Sequence, residues 1–225
     1  LNYYTRLNGD LTLNNGVFNL GANSLYLYSG GSILGSFGNT SKIVASSAYI
    51  YRYISSTGSY TIPSGDVNYY TPLTVDINSG SFYASAYIRL RLYSSKFSSN
   101  SSSTDYINRY WYIYNYGVIS SDVDITAVYN DSDVAGTESN LYGGSYKSPY
   151  WTKLNATNTS TNELTGNISM ASSNYYTFTG GEQAAFTSSI SIADDGLITE
   201  GAEEGEVISV NLFNDDFVSV LSPAN

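Results

Sequence analysis

The sequence predicts an all-β protein, and three observations carry that prediction. Tyrosine is the outstanding residue, with 24 in 225 positions. Its ring packs on a pleated sheet surface while its hydroxyl stays in water. Second, several stretches alternate with period two. Val123, Ile125, Ala127 and Tyr129 hold one parity, and Asp122, Asp124 and Thr126 the other, the pattern of a strand with one dry and one wet face. Third, glycine and asparagine turns punctuate short apolar runs, while helix-favouring residues are scarce. Hydrophobic residues make up 42% and aromatics 15%, enough for a packed core.

Taken in order, residues 9–34 place Leu11 and Leu13, then Phe18 and Leu20, then Leu25 and Leu27 between Gly/Asn turns. Such short strands read as rungs of a β-solenoid or as a tight meander, and the spacing leaves both open. From residue 42 the alternation lengthens. Lys42–Ile54 reads as one strand or two, Ser59–Pro63 as another, and Tyr70–Ile77 alternates through Leu73, Val75 and Ile77. In Ser81–Tyr93, Ile88, Leu90 and Leu92 oppose Arg89, Arg91 and Tyr93, with the arginines on the solvent face. Residues 94–104 read as a polar, loosely held loop.

Residues 105–138 form the centre of the prediction. Ile107, Tyr110, Trp111, Tyr112 and Ile113 are too dense in bulky β-formers for a loop, Gly117 breaks the run, and the alternating strand follows. The expectation is a strand pair with an aromatic anchor and an Asx-rich turn at Asn130–Asp133. Tyr142–Trp151 reads as an aromatic loop. Leu154, Leu164 and Ile168 are the inward residues of the Thr/Asn-rich segment that follows, and Tyr176–Gly181 closes a strand.

Charge divides the chain. Residues 1–181 carry nine Lys and Arg against ten acids, a net of −1, whereas residues 182–225 carry nine acids and no base, a net of −9. The expected architecture is therefore a β-meander or solenoid-like segment over 1–35, a β-sandwich over 36–181, and an acidic, partial immunoglobulin-like segment over 182–225. About 45 residues of the last kind bury little core alone, so the tail is expected to pair in cis or to act as an assembly strand. The acidic balance argues against nucleic-acid binding. No apolar run reaches the length of a membrane span.

The chain has no cysteine and no histidine, which excludes a disulfide framework, a Ser-His-Asp triad, a cysteine nucleophile and a histidine-ligated metal. No two carboxylates stand out as a tuned glycosidase pair, and no Gly-rich turn leads into a helix pattern. The expectation is a non-enzymatic protein. Calcium is the ligand best matched to the acidic turns. Asp131, Asp133 and Gly136 fit three positions of an EF-hand loop, but Ala135 and Tyr142 fail two others. That leaves a β-turn site of Asp131, Asp133 and Glu138, against the alternative of a plain Asx turn. Asp194, Asp195 and Glu200 form a second candidate, against a solvated linker. Exposed tyrosine rings suit a sugar platform, and cross-strand stabilisation of the sheet is the reading favoured over it.

Several passages, in order, resemble the repetitive extracellular adhesins of Bacteroidota exported by the type IX secretion system. They are Leu11–Leu27, Gly58–Asp66 (GSYTIPSGD), Tyr69–Val75, Ile107–Ile113, Tyr129–Glu138 and Phe178–Phe186 (FTGGEQAAF). Ile198–Gly201 and the strand ending near Leu221-Ser-Pro-Ala-Asn resemble adhesin repeat units. The tyrosine enrichment departs from the family, where Thr and Val often hold those places. The resemblance implies a secreted, surface-attached β protein and brings no catalytic residue. The expected function is a structural module of a cell-surface adhesin or extracellular filament that self-associates or joins neighbouring repeats, with a carbohydrate-binding module for a surface glycan, using exposed Tyr and Trp, as the alternative.

Overall fold

The computed structural model describes residues 4–187, and these are all-β. The longest helical piece among them is the four-residue 3₁₀ turn Gln183–Phe186. The chain divides into two units between Ser188 and Ser189, and every described residue belongs to the first. The immunoglobulin-like strands expected after residue 187 lie outside the described residues.

The chain opens as parallel coils. Strands β1 (Thr5–Leu7), β2 (Leu11–Leu13) and β3 (Gly16–Asn19) are successive sides of one turn. β4 (Leu25–Leu27), β5 (Ile33–Gly35) and β6 (Ser41–Val44) repeat those sides. β7 (Ile50–Tyr53) and β9 (Ser64–Gly65) add two sides of a third turn, with β8 (Gly58–Ile62) between them. β1, β4 and β7 pair in parallel, as do β2 with β5 and β3, β6 and β9 with one another. The solenoid is thus adopted over the meander. Its Gly/Asn corners turn the chain only part-way, so a strand meets its partner one full turn later rather than next in sequence. The short strands read as rungs are therefore sides of coils, and the stacking runs through residue 35 to Gly65. Leu20, Leu25, Leu27, Ile43 and Ile50 line the fully buried interior. Gly35, at φ +132°, lies so close to Leu13 that a side chain would collide with the Leu13 carbonyl.

Two long strands then form a bent antiparallel ribbon: β10 (Leu73–Tyr93) and, after the two-residue β11 (Tyr106–Ile107), β12 (Tyr110–Val128). The remaining strands are β13 (Val134–Ala135), β14 (Leu141–Lys147), β15 (Tyr150–Ala156), β16 (Glu163–Met170) and β17 (Asn174–Glu182). The ladder slips between Ile77 and Tyr87, and Gly117 sits at the bend with φ +75°, where a Cβ would press on Tyr83 and Ala86. The strand pair expected on either side of Gly117 is one continuous strand, because a bulge bends a strand without ending its pairing. Each half of the ribbon takes its own partners. Leu73–Ile77 pairs with β8, and Ser121–Val128 with β16. Tyr87–Leu90 pairs with β7, and Trp111–Asn115 with β17, which leads on to β14 and β15. The coils and one half of the ribbon therefore share a continuous sheet.

Two segments expected as loops are ordered by specific contacts. Tyr142–Trp151 falls in the β14–β15 hairpin. Within residues 94–104, Asn100 and Ser102 are buried. Asn100 Nδ2 donates to the Gly180 carbonyl at 3.0 Å, and Phe97 packs on Tyr110, Tyr146 and Trp151. A Ser/Asn-rich segment can be fixed by hydrogen bonds when one aromatic anchors it. Apolar content alone misses this. Leu154, Leu164 and Ile168 are inward, as their parity indicates.

A buried ion cluster joins the end of the coils to the ribbon. Arg109, 1% exposed, donates from Nη2 to Asp66 Oδ2 at 2.7 Å and from Nε to Asp133 Oδ2 at 2.6 Å. Burial would raise the Asp66 pKa. Hydrogen bonds from Arg109, the Tyr69 N–H and Ser94 outweigh that and hold it at about 2. A carboxyl depressed in the fold stabilises it fully above the ordinary pKa, and the contribution disappears as pH falls towards the folded value. The melting temperature should therefore fall between about pH 4 and pH 2, with about 2 kcal/mol lost from this group. Thermal melts across that range should show a shallower fall in an Asp66→Asn variant. Equal slopes would place the acid sensitivity elsewhere.

Candidate functional site: a tyrosine and arginine sheet face

The parity of the strands sets one row of side chains across six of them. Arg6 pairs with Tyr26, Tyr26 with Tyr51, Tyr51 with Arg89, Arg89 with Tyr114, and Tyr114 with Tyr175. Their sequence neighbours Leu25, Ile50, Ile88, Leu90, Ile113 and Tyr176 point to the other side and are buried, so the whole row lies on the outer face. A parallel row holds Tyr53, Tyr87 and Tyr116 in register, with Tyr28 stacked on Tyr53. On the opposite flank come Arg91 with Tyr112, then Tyr93 with Tyr110.

Cross-strand stacking organises these rings. Tyr26 and Tyr51 stack at 4.2 Å between centroids and 10° between planes, and Tyr93 and Tyr110 at 4.5 Å and 10°. Tyr112 stacks on Tyr175 at 5.2 Å. Pairs of this kind are each worth about 0.2–1 kcal/mol to a sheet. A ring stacked on its neighbours spends its faces on them and turns its hydroxyl edge to solvent. The outer surface is thus rich in phenolic hydroxyls, with Tyr4, Tyr83 and Tyr175 its most open rings.

The two central arginines stand among those hydroxyls. The Arg89 guanidinium carbon lies 4.5 Å from the centroid of Tyr49 and 5.0 Å from that of Tyr114. Nη2 of Arg89 donates to the Tyr175 hydroxyl at 3.2 Å. Burial opposes its charge, but hydrogen bonds to Tyr51 and Tyr175 more than offset this. The Arg91 guanidinium lies 4.8 Å from the Tyr93 centroid, and its Nε is buried with no hydrogen bond. Among the described residues both salt bridges belong to Arg109, so neither Arg89 nor Arg91 has a carboxylate counterion.

The other half of the ribbon carries the opposite charge on its outer face. Asp76 faces Asp124 across β10 and β12, with Asp122 two residues along. Asn167 Nδ2 donates to Asp122 at 2.6 Å and to Asp124 at 2.8 Å, and Asn78 donates to Asp124 at 2.8 Å. Those amides hold the Asp124 carboxyl below its ordinary value.

The residues predicted for calcium are placed as follows. Asp131 is exposed and accepts from Asn162 Nδ2. Asp133 is buried, held by Arg109 and by the Asn130 N–H in a capping box. Glu138 accepts from the Tyr129 hydroxyl at 2.7 Å, and burial followed by that bond pushes the Tyr129 pKa up. The three carboxylates thus have three separate partners, Asn162, Arg109 and Tyr129. Among the described residues no group of three or more acidic, histidine or cysteine side chains is set to hold a metal ion. Asp194, Asp195 and Glu200 lie outside the described residues.

Of the two tryptophans, Trp111 is fully buried, and Trp151 is half-buried between Tyr146 and Phe186. Sequence reading missed the row itself, since its register depends on parallel stacking of the coils. It also missed Arg109, whose signal was a lone cation inside the dense run Ile107-Asn-Arg-Tyr-Trp. Among the described residues no helix is long and apolar enough to cross a membrane. Comparisons with protein-family models, curated proteins and solved structures gave no match.

Proposed function

We propose that this chain is a non-enzymatic module of a secreted cell-surface adhesin, and that the tyrosine–arginine face is its adhesive surface. The observation that carries the reading is the six-strand row Arg6–Tyr26–Tyr51–Arg89–Tyr114–Tyr175. A face so broad, regular and rich in hydroxyls suits an extended polymer lying across the strands, as a surface glycan would. The resemblance to type IX-exported adhesins supports the same setting. Asp66, Asp105, Asp124 and Glu182 are all held low by structural hydrogen bonds, the opposite of the raised carboxyl that a general acid needs.

Replacing Tyr26, Tyr51, Tyr114 and Tyr175 together by Phe keeps the stacked rings and removes the hydroxyls. The expected result is retained folding, within about 1 kcal/mol, and at least a tenfold loss of adhesion to polysaccharide-coated surfaces on a quartz microbalance. Unchanged adhesion would move the adhesive surface elsewhere.

Self-association is a second reading. Among the described residues β15 pairs only with β14, so its outer edge offers main-chain groups for strand addition. An assembly strand from residues 188–225 of another copy is the proposed occupant. Deleting those residues should abolish assembly on light scattering, and normal assembly after the deletion would count against it.

A further inference from the structure

We propose that the tyrosine–arginine face selects anionic polysaccharide, with Arg89 and Arg91 taking the carboxylate or sulfate groups of a chain whose hydroxyls bond the tyrosines. This deepens the adhesive reading and rests on it.

Four observations point to an anionic ligand. The charges of the outer surface are segregated: Arg6, Arg89 and Arg91 lie on this face, and Asp76, Asp122 and Asp124 lie on the outer face of the other half. The two central guanidiniums, half-buried among the rings, have no carboxylate counterion among the described residues. Arg91 is incompletely satisfied by the protein: its buried Nε has no hydrogen bond, and Nη1 reaches the Tyr49 hydroxyl only at 3.4 Å. Ring contacts hold Arg89 in place on several sides, at 4.5 Å from Tyr49, 5.0 Å from Tyr114 and 5.7 Å from Tyr51 and Tyr175. Arg89 already bonds the Tyr51 and Tyr175 hydroxyls, and its remaining donors, fixed in direction by the rings, are those a carboxylate or sulfate would take with little loss of freedom. The phenolic hydroxyls around it donate and accept, which suits the hydroxyl-rich remainder of a sugar chain.

A polysaccharide fits better than the two other anionic surfaces in reach. Nucleic acid is bound through many phosphates at once, and this face offers only three arginines in a chain of net charge −10. Its rings are also stacked on each other rather than open to bases. A second copy presenting Asp76, Asp122 and Asp124 is the homotypic alternative, but Asp122 and Asp124 already hold amide partners in Asn167 and Asn78.

The test uses the full chain and polymers that differ in charge on one backbone. Binding to carboxymethyl cellulose and to dextran sulfate is measured beside hydroxyethyl cellulose and unmodified dextran, by affinity electrophoresis and calorimetry. The expected result is at least tenfold tighter binding to a charged polymer than to its neutral parent, weakening as salt rises. The preference between carboxymethyl and sulfate polymers distinguishes the two anion sources. Arg89→Gln with Arg91→Gln should lower charged-polymer affinity by tenfold or more and bring it level with neutral-polymer binding. Arg89→Lys should fall between, since it keeps the charge and loses the fork. Should the double variant fail to fold, Arg6→Gln at the exposed edge and the salt dependence of the unaltered chain carry the test.

Equal affinity for charged and neutral polymers would overturn anion selectivity while leaving the adhesive face standing. Binding to neither, with adhesion also lost, would overturn both readings. Tighter binding to single-stranded oligothymidylate than to any polysaccharide would assign the face to nucleic acid. Self-association abolished by Asp124→Asn would assign it to a second copy, and either result overturns the proposal.

Discussion

Arg109→Met is expected to destabilise the described unit by about 3–5 kcal/mol, the usual cost of removing one partner from a buried ion cluster. The guanidinium is 1% exposed and serves two carboxylates, Asp66 from the end of the coils and Asp133 from the turn after β12. Met keeps much of the volume and none of the charge, so both carboxylates would be left buried without their main donor. Lys42 stands nearby, fully buried with an unbonded amine whose pKa burial pushes down, and one lysine cannot reproduce a bidentate fork. A cost this large is a substantial share of a typical domain's total stability. Urea denaturation should show a lower midpoint with an unchanged slope. The triple variant with Asp66→Asn and Asp133→Asn should recover much of the loss, because the penalty lies in the orphaned charges. A single variant as stable as the parent would show that the cluster contributes nothing to holding coils and ribbon together.

Trp111→Ala should cost a comparable amount, about 3–5 kcal/mol. The indole is fully buried opposite Leu92 on one neighbouring strand and Phe178 on the other. Its Nε1–H donates to the Thr71 carbonyl at 3.1 Å, so truncation opens a cavity and strands an acceptor together. Trp111→Phe should lose roughly a third to a half of that, keeping most of the volume but not the hydrogen bond. Any Trp111→Ala protein that still folds should bind polysaccharide as the parent does, since the ring is out of reach of a ligand. Lost affinity with retained stability would make Trp111 a ligand contact after all.

Much of the fold was legible because parity is a local property. Ile88, Leu90 and Leu92 against Arg89, Arg91 and Tyr93, and Val123, Ile125 and Ala127 against Asp122, Asp124 and Thr126, sort to the faces their alternation indicates. What parity cannot supply is the identity of the neighbouring strand. Leu25 lies beside Thr5 and Ile50, partners a full coil away, and nothing in the Gly/Asn turns separates that from a hairpin. The tyrosine–arginine row follows from those pairings, so its residues were visible as outward singles and invisible as a line. The partners of the acidic turn at Asp131 and Asp133 were hidden for a related reason. A carboxylate's partner is chosen in three dimensions, and here Arg109 reaches Asp133 from β12's near end. The arginines of β10 were read as plain solvent charges, and their half-burial among rings depends on Tyr49, Tyr51, Tyr114 and Tyr175 arriving from three other parts of the chain.

The most direct test of the central claim is an NMR titration of the full chain with carboxymethyl cellulose oligomers, following arginine Nε–Hε and tyrosine ring signals. Shifts are expected only at Arg6, Arg89, Arg91 and the tyrosines of their rows, with Arg109 and the Asp76–Asp122–Asp124 face undisturbed. Shifts centred on the acidic face, or none on Arg89 and Arg91 at saturating ligand, would contradict it.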